Sequence, residues 1–213
     1  LSTKLIRNTS DINSELARLG VPAEVLKDAA LAWLNGASKF GSLVPAQVPG
    51  IAAWGEAVGT LRELLCQRGW VSSESRGGLA TVTNPENNIS IGVVRGDENT
   101  GLSGNAMSLR RRGPATVAVV EQNIEQLSLF AGKDFGVRPA VKDGTTWVLL
   151  LHRTESELRY ELSLPTKIGQ DGRIVDFKVR LQFDAIPLHT PVIVDPMADA
   201  PTVDITILRK ASE

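Results

Sequence analysis

The chain has 213 residues, with 23 Lys and Arg against 24 Asp and Glu, a formal net charge of −1 and one cysteine, Cys66. That length suits one domain with an appendage or two small domains, with enough chain to bury a real core. Net charge alone gives no reason to infer a nucleic-acid ligand, a single cysteine excludes an intrachain disulfide, and no apolar run approaches the roughly 20 residues of a membrane span. The N-terminus has no basic region followed by an apolar block, so no secretory signal is expected and the cytoplasm is the expected compartment.

Residues 1–70 read as a helical subdomain. Ser10 and Asp11 suit a helix start, with Ile12, Leu16 and Leu19 on one face and Gly20 as the stop. Pro22 suits the first turn of a second helix, in which Val25, Leu26, Ala29, Ala30 and Trp33 recur at helical spacing. A connector rich in Gly, Ser and Pro follows at 36–49. The third helix, about 51–67, would bury Ala53 or Trp54, then Ala57, Val58, Leu61, Leu64 and Leu65, and close at Arg68-Gly69. Cys66, near its end, reads as a small buried apolar residue rather than a nucleophile, because the two histidines, His152 and His189, are far away in sequence.

Residues 71–213 read as a β-rich domain with long loops at 96–114 and 123–145. Strands are expected at 79–83 and 88–95 across the turn Asn84-Pro85-Glu86-Asn87, and at 115–120, 147–151, 158–164, 174–183 and 203–208. Gln170-Asp171-Gly172-Arg173 has hairpin-turn chemistry. Helices in front of a largely antiparallel sheet make the expected class α+β.

The loop at 96–114 ends in Arg110-Arg111-Arg112, and a loop of that length without periodicity is usually functional or mobile. Three contiguous arginines could clamp phosphates or a nucleic-acid backbone, and equally could be a solvated run or partners for Asp97-Glu98 at the loop's other end. Asp97 and Glu98 are residue types that hold a hard cation, though such pairs more often cap a turn. Glu157, Glu161, Asp176 and Lys178 are the residue types of a metal-dependent nuclease, set against the simpler reading of a solvated sheet face. The spacing of zinc ligands, phosphate loops and nucleophile elbows is missing, so no cofactor, metal or catalytic residue is expected.

One stretch carries more specific information: Gln126, Leu127, Ser128, Leu129 and Phe130. These five residues resemble the short peptide by which bacterial proteins dock on the sliding clamp of their replicative polymerase. The resemblance implies that Gln126 anchors at the pocket rim, Leu127 fills a first apolar subsite, and Leu129 with Phe130 plugs a deeper one. It implies nothing about the remaining chain. The alternative is an amphipathic turn packed on the domain's own sheet. The expected function is therefore a clamp-binding accessory protein in replication, repair or phage defence, with the clamp as partner and DNA, through Arg110 to Arg112, as a further one. The alternatives are a metal-dependent nuclease or other DNA-processing enzyme, and a structural or assembly module.

Overall fold

The computed structural model describes residues 3–74, 79–130 and 144–188. Among these, eight strands join in one mixed sheet, and four helices cover it. Along the chain come β1 (Lys4–Ile6), α1 (Thr9–Leu19), α2 (Ala23–Ser38), α3 (Val48–Cys66), β2 (Val71–Glu74), β3 (Ala80–Asn84), β4 (Ile89–Arg95) and α4 (Pro114–Phe130). They are followed by β5 (Thr145–Arg153), β6 (Glu157–Ile168), β7 (Ile174–Gln182) and β8 (Ile186–Pro187). The strand order is β1-β7-β6-β5-β4-β3-β2. Two pairs, β1 with β7 and β4 with β5, are parallel, and β8 pairs β6 beyond the point where β7 leaves it. The class is α+β, and the remaining pairings are antiparallel.

Alternation along each strand assigns the two faces of the sheet. On one face, Ile89, Ile91 and Val93 of β4, Trp147, Leu149 and Leu151 of β5, and Leu158, Tyr160, Leu162 and Leu164 of β6 meet the apolar stripes of α1, α2 and α3. The helical segment and the sheet therefore share one core. α2 and α3 approach closely because Gly36 has no side chain: a Cβ there would lie 2.8 Å from the Ala52 carbonyl oxygen. α1 is capped by Asn8, whose Oδ1 accepts from the Ser10 amide at 2.9 Å, two residues earlier than the expected start. It ends at Gly20 with φ 71°, where the sequence places the stop. Cys66 is exposed at the end of α3, not buried as its apolar neighbours suggest.

α4 covers the opposite face, where Val120 packs with Val94, Val148, Leu150, Ile174 and Phe177. This corrects two expectations. The run 115–120 is helical rather than a strand, and 123–130, expected within a loop, completes that helix. Pro114 starts the helix, where a missing amide hydrogen is harmless. Its buried side is set by Thr116, Val120, Asn123 and Gln126, at helical spacing but mostly polar. Asn123 is fully buried and acts as a clamp. Its amide donates to the Thr146 and Pro165 carbonyls at 2.9 and 3.0 Å, and its Oδ1 accepts from the Thr146 amide at 2.9 Å. The strand expected at 203–208 lies outside the described residues, as do 131–143 of the second loop.

Candidate functional site

The apolar rows of β4 and β5 end in charge. Arg95 follows Ile91 and Val93 on the same face of β4, and Arg153 follows Leu149 and Leu151 on β5. Both arginines thus emerge at the carboxyl ends of neighbouring parallel strands, just past the core. In α/β sheets that position is where ligands are commonly held.

The loop after β4 brings further charge to the same place. It turns back so that the Leu109 amide donates to the Arg95 carbonyl at 2.9 Å, and Gly96 bridges Ser108. It also crosses to the β6–β7 hairpin. The Ser108 amide donates to the Ile174 carbonyl at 3.0 Å, and the Arg112 amide to the Gly172 carbonyl at 2.8 Å. The three arginines consequently separate. Arg110 and Arg112 line a cleft with Arg95, Arg153, Trp33 and Trp54. Arg111 lies over the hairpin turn, where a Cβ on Gly172 (φ 76°) would sit 2.6 Å from its Cγ.

This cleft measures about 500 Å³, and the first turn of α3 forms part of its wall. That turn carries no acidic residue and no side-chain cap, so the partial positive charge of a helix N-terminus adds to the arginines. Among the described residues no acid lines the cleft, and none of its four arginines has an acid within 4.0 Å. Burial, and after it the charge of Arg110, holds the Arg112 guanidinium below its usual pKa. A second cavity of about 280 Å³, between α1, α2 and the end of β7, differs in having an acid, Asp184, in its lining beside Arg7 and Lys27.

A buried staple on the other face of the sheet holds the early part of the loop after β4. Glu161 is fully buried and Arg180 is 3 % exposed. Arg180 donates from Nε to Glu161 Oε1 at 2.9 Å and from Nη2 to Oε2 at 2.7 Å. The Gly101 amide and the Ser163 hydroxyl also donate to the carboxylate at 2.9 and 2.8 Å, as does Gln182 Nε2 at 3.3 Å. Arg180 also donates to the Gly104, Leu102 and Asn99 carbonyls, tying the loop to the sheet. Asp97 adds a local brace, its Oδ1 accepting from the Asn99 and Met107 amides at 3.2 and 3.1 Å, while Glu98 is exposed.

Of the candidate nuclease residues, the carboxylates Glu161 and Asp176 are not brought together. Glu161 stands opposite Gln182 in the register, whereas Asp176 stands opposite Lys167, six positions away along β7 or roughly 20 Å. Glu157 contacts Arg159 at 3.2 Å, and Asp176 Oδ1 accepts from the Phe177 amide and the Thr3 hydroxyl.

Gln126 to Phe130 form the last turn of α4. Gln126 is buried, donating to the Gly144 carbonyl at 3.3 Å, with no partner for Oε1 among the described residues. Leu127 packs half-buried against the core; the side chains of Ser128, Leu129 and Phe130 lie outside the described residues.

Three contributors escape the sequence reading. Arg95 and Arg153 look like ordinary strand-end charges until the parallel pairing, with Arg95 opposite Leu151, brings both to the same end of the sheet. Trp54 sits beside Ala53 in a helix where either could be the buried one, and it is Ala53 that goes inward. No protein-family model, curated protein or solved structure matches this chain.

Proposed function

We propose that this chain is a binding protein whose ligand carries phosphate, held in the cleft by Arg95, Arg110, Arg112 and Arg153. One observation carries the reading: four arginines converge on one cleft from three segments with no acid among its described lining. Gathering like charges is unfavourable unless an anion offsets them. A guanidinium presents forked donors that match phosphate oxygens two at a time. The α3 N-terminus contributes in the same sense.

Calorimetric titration with inorganic pyrophosphate tests this. Saturable binding that weakens with added salt is expected. Arg110→Ala combined with Arg153→Ala should lower the affinity by roughly tenfold or more per arginine, since hydrogen bonds to charged groups contribute about 1.5–3 kcal/mol. No binding, or binding that the double variant leaves unchanged, would sink the reading.

A second reading, compatible with the first, is that Gln126–Phe130 docks on a bacterial sliding clamp. Besides the sequence pattern, its support is the segment's place at the end of α4 and its weak tether. Gln126 has one long hydrogen bond, and its buried Oε1 has no partner among the described residues, so its polar tether is weak and separate from the Asn123 clamp. Leu129→Ala with Phe130→Ala should abolish binding to purified clamp while the protein still melts cooperatively. Failure of the wild type to bind clamp removes this reading and leaves the first untouched.

A further inference from the structure

Resting on the phosphate reading, we infer that the ligand is a nucleotide whose base stacks on Trp54 while its phosphates engage the arginines. Trp54 is 40 % exposed, and its neighbour one turn earlier, Ile51, is 62 % exposed. The ring is nevertheless fixed. Its indole N–H donates to the Val93 carbonyl at 3.3 Å, two residues before Arg95 on the same strand. A tryptophan whose polar edge is tied to the sheet and whose surface opens into a cationic cleft is a stacking platform beside a phosphate site. Every nucleobase presents a π-face, so such a platform needs no base-specific hydrogen bond. The volume also fits: about 500 Å³ lies within the roughly 300 to 1,000 Å³ usual for small-ligand clefts. An acidic peptide offers charge without a plane, and a lipid headgroup offers phosphate without one. A nucleotide brings both, either free in solution or as part of a single strand.

Affinities of inorganic pyrophosphate, adenosine diphosphate, a short oligodeoxythymidylate and a blunt duplex, measured at one salt concentration, test the inference. Stacking predicts that a nucleotide probe binds roughly five- to a hundredfold more tightly than pyrophosphate. Trp54→Leu should remove that margin, and Trp54→Phe, which keeps a ring, should keep most of it. The melting temperatures of both variants establish that they are folded. Preference for the oligonucleotide over the diphosphate and the duplex identifies a single strand as the source, and the reverse order a free nucleotide. Pyrophosphate binding as tightly as either nucleotide probe, unchanged in Trp54→Leu, would overturn the inference and leave the phosphate reading standing. Failure of all four probes to bind would overturn both.

Discussion

Arg180, on one face of the sheet, and the four arginines gathered at the cleft are treated differently by the molecule. Arg180 is buried and fully paired, meeting Glu161 through Nε and Nη2, the Gly104 carbonyl through Nη1, and the Asn99 and Leu102 carbonyls through Nη2 as well. Arg95, Arg110, Arg112 and Arg153 gather at a cleft with no acid among its described lining. A paired charge in the interior holds a loop in place; on the proposed reading, charges without an acid among the described residues at a surface cleft serve to bind an anion. Arg180 supports structure, and on that reading the four cleft arginines serve binding.

The largest expected effect comes from breaking the staple. Glu161→Ala leaves Arg180 buried without its counterion, a change that typically costs about 3–5 kcal/mol. Urea unfolding should show a loss of that size. Because loop 99–104 is held by the same guanidinium, phosphate binding should weaken as well. A loss below about 1 kcal/mol would mean that the loop carbonyls alone satisfy Arg180.

Tyr160 gives a titratable counterpart on the face covered by α1 to α3. Burial, with a smaller contribution from Asp184, pushes its phenol up to about 12. The neutral form is thus favoured in the folded chain, and the associated stability is fully present below the unfolded value of about 10 and lost as pH rises toward 12. Two pH units correspond to at most about 2.7 kcal/mol. The difference in stability between wild type and Tyr160→Phe should change across that window and stay flat below it.

Asn123→Ala is expected to cost about 1–3 kcal/mol, because it strands the buried Thr146 amide and two carbonyls. At the small end, Arg110→Ala should move stability by no more than about 0.5 kcal/mol.

The contrast between these groups was only half legible in the sequence. Helices α1 to α3 announce themselves because their buried residues are apolar and recur at helical spacing. α4 does not: Thr116, Asn123 and Gln126 occupy its buried side, and the β-branched run before Glu121 imitates a strand. Loop 96–113 looked like a free segment because what fixes it is long-range. Arg180 is 76 residues from Gly104 in sequence, and no local pattern records that bond. For the same reason Arg110 to Arg112 could be identified as a cationic run, but not that two of the three share a cleft with Arg95 and Arg153. Their meeting depends on the parallel pairing of β4 with β5. Gln126 to Phe130 could be seen as a motif, yet the helix they complete could not.

The most direct test is a set of four urea unfolding curves: wild type and Arg110→Ala with Arg153→Ala, each with and without pyrophosphate. If the cleft arginines serve binding and not folding, the two proteins have nearly equal stability without ligand. Wild type then gains about 2.7 kcal/mol at a ligand concentration of about a hundred times Kd, while the variant gains far less. A variant that is already several kcal/mol weaker without ligand, or that gains as much as wild type with it, would contradict the division of labour between the two sets of arginines.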